Sequence, residues 1–370
     1  MCSARCARLS TPYGVLCRVR GTQRMIPRFL HDVTPQRVVF APGAVEGVAD
    51  EAAHLGFERA LVVATPGSGA RLGARIVTLL GARAAGLHAQ AVVHVPKAVA
   101  EAGVKAAQDN RADGLVAVGG GAAIGLGKAI ALATGLRIVA VPTTYSGSEA
   151  TPIWGTTEGE RKITGRDPRV LPSTIIYDPE LTMGLPPAVS AASGMNAIAH
   201  CVESLWVAER TPFTVALAAD ALARWAVHLK RVVAAPDDRD ARGECLVAAW
   251  LAGTVLTTGT GLHHKLAHVL GGLGLPHAET HAIILPHVTR FNLVAAADAR
   301  ARLARAFSTD DPAAALAGLL QALPIPQRLR EVGFDKARIP EVGATIAALG
   351  IKHPRPVADT DAAALLSAAS

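Results

Sequence analysis

Two patterns of apolar residues divide the chain. From about Gln36 to Asp178, short β-branched apolar runs alternate with Ala-rich segments of helical period. The predicted strands are RALVVAT (59–65), AQAVVHV (89–95), GLVAVGG (114–120) and RIVAVPTT (137–144). Nearly continuous apolar strands interleaved with helices are typical of a parallel sheet that is covered on both faces. This part of the chain is therefore predicted to be an α/β domain with a parallel, Rossmann-like sheet.

The apolar pattern changes after LPSTIIYDPELTMGLPP (171–187). Long Ala-, Leu- and Val-rich stretches of helical period follow, separated by Pro or Gly. They include SAASGMNAIAHCVESLW, TVALAADALARWAVHLKRVV and DARGECLVAAWLAGTVL. The pattern predicts an all-α domain over residues 184–370, preceded by the α/β domain over residues 26–183.

Composition narrows the class of protein. The 370 residues are 50% hydrophobic and 18% charged, which is enough apolar volume for two domains. No apolar run approaches the roughly 20 residues of a membrane-spanning helix. A globular protein that does not insert into a membrane is expected.

The net charge of +7 is concentrated at one end of the chain. The first 25 residues hold five arginines and no acid, which leaves the remainder near +2. The five are Arg5, Arg8, Arg18, Arg20 and Arg24. A body this close to neutral, with 4% aromatic residues, lacks the basic stripe and the stacking surface of a nucleic-acid-binding protein.

The same leading segment has two interpretations. An Arg-rich, acid-free leader can be a targeting peptide, but it lacks the apolar core of a secretory signal. We expect residues 1–25 to be a disordered extension or a mis-assigned start, and we favour the latter, with Met25 as the true beginning. Three of the five cysteines lie there, and the other two, Cys201 and Cys245, form no CxxC pair. This usage fits a reducing cytoplasm.

A glycine cluster follows one predicted strand. GLVAVGGGAAIGLGKAIAL (114–132) places Gly119, Gly120 and Gly121 between a buried strand and a helix. Glycines there let the backbone approach a pyrophosphate, whose charge the helix N-terminus favours. A tight strand-to-helix turn can also require glycine for purely local reasons, so this signal is weak alone.

A hydroxyl-rich loop follows the next strand. PTTYSGSEAT (142–151) offers Thr143, Thr144, Ser146 and Ser148 as donors to phosphate, ribose or nicotinamide. An ordinary capped loop has a similar composition. Because successive parallel strands end at one edge of a sheet, where such sheets bind ligands, the two loops together favour a nicotinamide nucleotide site.

Histidines are grouped in the second half. Asn196 and His200 are four residues apart, as are His264 and His268, so each pair lies on one helix face, and His277 follows. A single histidine on an apolar helix is more often a core residue, but this grouping favours a site. The remaining histidines nearby are interpreted as structural. They are His263, His281 and His287.

These motifs together resemble the iron-containing alcohol dehydrogenase family. The matching segments, in order, are GGGAAIGLGKA, PTTYSGSEAT, ERKITG, YDPELTMGLP, GMNAIAH, GLHHKLAHVLGG and LPHAETHAIILPH, spanning about Arg37 to Arg290. Family members hold a divalent metal through one aspartate and three histidines. Those positions are occupied here by Asn196, His200, His264 and His277. Since an amide is a poor ligand for a dication, the resemblance predicts no required metal.

The residues within these motifs are similar to those of the maleylacetate reductase branch of this family. That resemblance implies a dehydroquinate synthase-like fold, a homodimer, and NADH or NADPH as cofactor. It also implies a small dicarboxylate substrate, maleylacetate, which is reduced to 3-oxoadipate in aromatic degradation. Two departures stand out: the spacing from His268 to His277 is one residue shorter than expected, and Pro66 replaces the acid that often holds the ribose in NAD-selective relatives.

The resemblance also assigns roles. His268 and His277 are expected to stabilise and protonate the enolate that hydride transfer produces. Lys162 is expected to contact the cofactor. Together with Arg161 and Lys265, Lys162 is also a candidate to hold substrate carboxylates, although each cation can equally be a solvated surface residue. The remaining residues expected to contact the substrate are Tyr145, His200 and His264.

Two other functions remain open at this point. One is a metal-dependent alcohol or polyol dehydrogenase of the same fold, in which Asn196 completes a weakened metal site. The other is a nucleotide-binding sensor without turnover. Bound iron or zinc favours the first, and tight NADH binding without reduction of any keto-acid favours the second.

Overall fold

The computed structural model describes residues 29–32, 35–159 and 161–370. The chain divides into a first unit, of which only residues 29–32 are described and are irregular, and a second, compact unit of residues 33–370. The predicted extension of residues 1–25 therefore lies outside the described residues.

The N-terminal half of the second unit is built on a parallel sheet, as predicted. Six strands pair in the order β1-β8-β5-β4-β2-β3, all parallel, and β6 and β7 form a separate antiparallel hairpin. The strands are β1 (Arg37–Phe40), β2 (Ala60–Val63), β3 (Ala84–His88), β4 (Gly114–Gly119), β5 (Arg137–Pro142), β6 (Ile153–Glu158), β7 (Arg161–Arg166) and β8 (Thr174–Tyr177).

Both faces of this sheet are apolar because side chains alternate between them along each strand. Leu115 and Ala117 of β4 pack on one side and Val116 and Val118 on the other, all fully buried. The helices of this half cover both faces. They are α1 (Val48–His54), α2 (Ser68–Leu80), α3 (Lys97–Asp109) and α4 (Gly121–Thr134).

The strand predicted at residues 89–95 is wrong. The edge strand is β3, directly before it, while residues 89–95 form an irregular segment in which His94 and Val95 have positive φ. Ala91 and Val95 are nevertheless buried. The apolar residues of this run therefore pack a loop against the core. The hydrophobic pattern alone cannot distinguish such a buried loop from a strand.

The rest of the unit is helical, as predicted. The helices are α5 (Pro187–Ser204), α6 (Pro212–Ala234), α7 (Arg239–Leu256), α8 (Leu262–Gly272), α9 (His277–Leu293), α10 (Ala297–Ala306), α11 (Pro312–Gln321), α12 (Ile339–Ala348) and α13 (Asp359–Ala369). Capping interactions define where helices begin. At the N-terminus of α6, Thr211 and Thr214 form a capping box, and Pro212 lies in the first turn. In the part of the chain that the structure describes, no helix is long and apolar enough to cross a membrane.

One apolar cluster joins the two halves. It contains residues from one face of the sheet, such as Leu115, and residues of α5 to α7, such as Met195 and Trp225. The division of the chain at residues 183 and 184 stays a prediction. The fold class is confirmed, with a parallel sheet first and helices after it.

The strand order locates a crevice. The chain runs from β2 to β3 on one side and then places β4 on the other side of β2. Open α/β sheets bind ligands at the carboxyl ends of strands where the order reverses in this way. The loops after β2, β4 and β5 are therefore the ones to examine.

Candidate active site

The glycine loop after β4 has the geometry that its sequence predicts. Gly119 has a φ of 139°, a conformation that residues with a Cβ rarely adopt. A Cβ on Gly120 would lie 2.8 Å from Thr144 Cγ2, whereas a Cβ on Gly121 would meet nothing within 4 Å. The first turn of α4 thus presents open backbone at the carboxyl edge of the sheet, as anion binding at a helix N-terminus requires.

The hydroxyl-rich loop after β5 packs directly against the glycine loop. The Thr143 N–H donates to the Gly119 carbonyl at 3.1 Å, and Thr143 and Thr144 are half-buried beside the turn. Ser146 and Ser148 follow, with the Ser148 N–H at 3.5 Å from Ser146 Oγ. The structure therefore brings the two predicted cofactor loops together.

A buried lysine holds this loop in place. Lys128 of α4 is 1% exposed, and its Nζ donates to the carbonyls of Ser148 (2.6 Å), Thr151 (2.8 Å) and Ile153 (2.8 Å). Burial lowers the pKa of Lys128 to about 7, and the nearby Glu149 opposes that shift. Sequence reasoning missed this residue. The available signal was a lysine within an otherwise apolar helix, GLGKAIAL.

Tyr145 does not lie at the open surface of the loop. It is fully buried, its ring meets Trp225 edge-on, and its hydroxyl accepts a hydrogen bond from Arg242 Nη1 at 3.1 Å. These contacts are those of a core residue that anchors the loop to α7. We therefore leave Tyr145 out of the proposed substrate site.

Helices α5, α8 and α9 bring the histidines together. Of the described residues, six histidines lie in one cluster with successive ring centroids 4.3–6.3 Å apart. They are His200, His263, His264, His268, His277 and His281. The connection between α8 and α9, although one residue shorter than expected, still lets His268 and His277 stack at 5.9 Å.

Glu203 fixes one of these histidines. Its carboxylate, 1% exposed, accepts the backbone N–H groups of Gly261 (2.9 Å) and His263 (2.7 Å), and His264 Nδ1 lies 2.7 Å from Oε2. Burial raises the pKa of Glu203, while those backbone hydrogen bonds oppose the rise. The sequence analysis overlooked Glu203, although its place three residues after His200 puts it on the same face of α5.

This hydrogen bond decides what His264 can do. With Nδ1 donating to Glu203, the neutral ring presents a lone pair at Nε2, and burial keeps the ring neutral by lowering its pKa to about 3. A lone pair cannot donate to a carboxylate. The geometry therefore does not favour His264 as a carboxylate ligand.

His268 and His277 lie at the solvent-accessible side of the histidine cluster. His268 is exposed and His277 half-exposed, yet protein atoms surround both. Burial lowers the pKa of His268 to about 4 and that of His277 well below its ordinary value, and the charge of Lys162 lowers both further. Both rings are thus neutral at pH 7, and each carries one N–H to donate.

Lys162 lies on β7, near enough to His268 and His277 for its charge to lower the pKa of both rings. Its side chain is exposed, but its pKa is lowered because surrounding protein displaces water. Lys265 is half-buried on α8, and its charge also lowers the pKa of His268. The side chain of Arg161 lies outside the described residues.

The family metal position lacks its carboxylate ligand here. Asn196 supplies a neutral amide where the family has a carboxylate, so no ligand is anionic. Among the described residues, the ring nitrogens that come within 4.8 Å of one another belong to a different trio, which includes His264 but neither His200 nor His277. Asn196 Oδ1 and His200 Nδ1 are buried without a hydrogen-bond partner in the described chain, so they are available to a polar ligand.

The loop after β2 bears on cofactor choice. Pro66 is exposed at the carboxyl end of β2, beside β4, where an acid would reach the ribose. Arg59 precedes β2 at the opposite edge of the sheet and donates to the Asn110 carbonyl at 2.8 Å, so it cannot attract a cofactor phosphate. Arg71, in the first turn of α2, is the nearer cation.

Comparison with known proteins gives consistent matches. The models of the iron-containing alcohol dehydrogenase family match residues 35–179 and, for the C-terminal part, residues 190–370. Maleylacetate reductase 2 of Cupriavidus pinatubonensis is 48% identical over 92% of this chain and 96% of its own. The maleylacetate reductase of Sphingobium indicum is 43% identical over 92% and 97%.

Solved structures agree with the sequence matches. The crystal structure of maleylacetate reductase from Agrobacterium tumefaciens superposes with a TM-score of 0.90 at 41% identity, covering 93% of this chain and 98% of that one. A 1,3-propanediol oxidoreductase structure has a TM-score of 0.85 at 28% identity, covering 94% and 100%. The resemblance found in the sequence is confirmed.

Proposed function

The chain belongs to the iron-containing alcohol dehydrogenase family, and from that premise we propose that it reduces maleylacetate to 3-oxoadipate with NADH or NADPH. The names of its similar relatives support this substrate. The paired loops after β4 and β5 support the nucleotide. We further propose that the reaction requires no metal.

The reaction adds a hydride and a proton across one double bond. A bound nicotinamide would supply hydride to the alkene carbon β to the ketone, which is the one farther from it. The alkene electron pair forms a new double bond between the nearer alkene carbon and the carbonyl carbon, and the electron pair of the C=O bond moves to oxygen, which becomes an enolate. A proton then adds to the carbon next to the ketone, which restores the carbonyl. The protein has to hold two carboxylates, stabilise the enolate oxygen and supply the proton.

The neutral His268–His277 pair is the observation that carries this proposal. Each ring has an N–H to donate to the developing enolate, and the two rings stack at 5.9 Å at the solvent-accessible side of the histidine cluster. A neutral imidazole stabilises an oxyanion and can then act as the acid. Because burial and Lys162 keep both rings neutral, their donor capacity does not depend on protonation near pH 7.

Nearby cations match the charge of the substrate. Lys162 and Lys265 act electrostatically on His268 from two elements, β7 and α8. A dicarboxylate bound beside this ring would place its charges near these ammonium groups, and a charge-assisted hydrogen bond between them would be stronger than a neutral one. We propose Lys162 for this role or for the cofactor, and Lys265 and Arg161 as secondary candidates.

Metal independence rests on the chemistry of the available ligands. The family metal position holds Asn196 in place of an aspartate, and the trio of histidines whose ring nitrogens lie within 4.8 Å of one another is a different one. We propose that His200 instead lines the polar end of the substrate site and donates to the substrate from its unpartnered buried Nδ1. The homodimer and the cytoplasmic location expected from the sequence stay predictions.

The direct test is an NADH-oxidation assay with maleylacetate and purified full-length chain. We expect one 3-oxoadipate formed for each NADH oxidised. A panel of simple alcohols and polyols, assayed with NAD, serves as the comparison. Efficient alcohol oxidation without maleylacetate reduction would replace the proposal with an alcohol dehydrogenase. Tight NADH binding without turnover of any keto-acid would indicate a sensor.

A further inference from the structure

Three fully packed imidazoles meet between α8 and α9. His263, His264 and His281 are 0%, 3% and 0% exposed. One ring nitrogen of each lies within 4.8 Å of the others. The proposed hydride transfer uses none of these nitrogens.

Existing hydrogen bonds fix how two of the rings are protonated. His263 Nε2 lies 2.9 Å from the His281 carbonyl, which can only accept, so Nε2 carries the hydrogen and Nδ1 a lone pair. His264 Nδ1 donates to Glu203, so Nε2 carries the lone pair. Both lone-pair nitrogens are buried without a hydrogen-bond partner among the described residues, as are both nitrogens of His281.

Such an arrangement is unfavourable if nothing lies between the rings. A buried acceptor without a partner costs roughly 1–3 kcal/mol. A cation that accepts both lone pairs removes these costs.

We propose that His263, His264 and His281 form a binding site for a divalent transition metal of the zinc class. Imidazole nitrogens suit zinc, copper, nickel and cobalt but not calcium or magnesium, which prefer oxygen. Metal-binding histidines usually donate their second ring N–H to a carboxylate or a carbonyl. His264 and His263 do this already, towards Glu203 and the backbone of His281.

This site is separate from the family metal position, with which it shares only His264. It includes neither Asn196 nor His200, and its three ligands are neutral, as in zinc sites built from three histidines. It also goes beyond the proposed function, since maleylacetate reduction is expected to proceed with the site empty or filled.

The test uses cobalt(II) as a spectroscopic probe on the metal-stripped full-length chain. We expect one cobalt per chain, with the visible absorption of a tetrahedral nitrogen site. X-ray absorption of the zinc form should show at least three imidazoles at about 2.0–2.1 Å. This measurement on the unaltered chain does not depend on whether any variant folds.

Cobalt binding by substituted chains then shows which histidines hold the ion. His281→Gln and His263→Gln should each weaken cobalt binding at least tenfold, while His287→Gln, on α9 but outside the trio, should leave binding unchanged. Asn196→Ala should also leave it unchanged. Loss of binding in Asn196→Ala with retention in folded His281→Gln would place the ion at the family position and overturn the proposal. So would absence of cobalt binding, or an oxygen-rich coordination shell.

Discussion

The two walls of the proposed active site are built in different ways. The cofactor wall consists of the turn at Gly119 to Gly121 and the adjoining loop, and there backbone groups are expected to bind the ligand. On the substrate wall, side chains from α5, α8 and α9 are expected to bind the substrate. Backbone sites rely on a few consecutive residues, whereas side-chain sites depend on helices that are distant in sequence.

The walls also differ in charge. The cofactor wall is held by a buried ammonium, Lys128, that binds three loop carbonyls. The histidine wall is neutral at its centre because burial lowers the pKa of each ring, with Lys162 nearby. The difference indicates that substitutions on one wall should change cofactor binding and substitutions on the other should change turnover.

The largest expected effect separates the two walls by kinetics. His268→Ala and His277→Ala should each lower kcat with maleylacetate about a hundredfold or more, equivalent to about 2.7 kcal/mol, because an enolate donor is lost. NADH affinity, measured by fluorescence titration, should stay unchanged. His54→Ala, at the exposed end of α1, is the control. Near-normal turnover in both variants would reduce the pair to packing residues.

A second prediction separates the walls by acid sensitivity. Burial lowers the pKa of His263 to about 4 and that of His264 to about 3, against about 6.5 when unfolded. Between pH 6.5 and these values the unfolded chain binds more protons, so stability falls as the pH is lowered. The pKa of Glu203 is raised, so this residue by itself increases stability as the pH is lowered. Its single contribution opposes those of several histidines.

We expect each of His263 and His264 to lower the free energy of unfolding by about 2 kcal/mol from pH 7 to pH 5, or about 4 kcal/mol together before the opposing contribution of Glu203. Hydrogen exchange should show α8 and α9 losing protection before β4 and β5. His263→Gln should reduce the pH dependence, because glutamine does not titrate. Equal acid sensitivity of the sheet and the histidine helices would contradict this picture.

A third prediction concerns the cofactor wall alone. A methyl group at position 121 fits sterically but projects where the pyrophosphate is expected. Gly121→Ala should therefore raise the KM for NADH about tenfold, or about 1.4 kcal/mol, with kcat nearly unchanged. Gly318→Ala is the matched control, since position 318 is an exposed helical glycine with nothing within 4 Å of its Cβ. Equal KM values in the two variants would remove the glycine turn from the cofactor site.

The smallest expected effect is cofactor preference. Pro66 cannot repel the 2′-phosphate of NADPH, so the specificity constants for NADH and NADPH should differ less than about tenfold. Pro66→Asp should shift the ratio towards NADH. A hundredfold preference for NADH in the unaltered chain would show that another acid guards the ribose.

The contrast between a backbone-built cofactor wall and a side-chain-built substrate wall also explains which features the sequence could predict. Strands β4 and β5 and the turn at Gly119 to Gly121 were predictable because each signal lies within a short segment. Lys128 and Glu203 were missed because their importance lies in contacts with loops 20 to 61 residues away, which no local pattern shows. The strand at 89–95 was wrong because burial of a loop imitates an apolar strand.

The helix spacing of His264 and His268 correctly predicted a shared cluster. It could not predict how each ring is protonated, since that depends on Glu203 from another helix. The family resemblance also suggested Tyr145 for the substrate site, although Arg242 donates to its hydroxyl in the core. Pattern locates candidate residues, whereas hydrogen-bond partners decide their chemistry.

The central claim is that neutral histidines, without a metal, support the reduction. The most direct measurement is the rate of NADH oxidation with maleylacetate before and after exhaustive chelation, with metal content determined on the same samples. The account predicts an unchanged rate in the metal-free chain, including after loss of any ion from the His263, His264 and His281 site. A rate that collapses on chelation and returns with a divalent metal would contradict it.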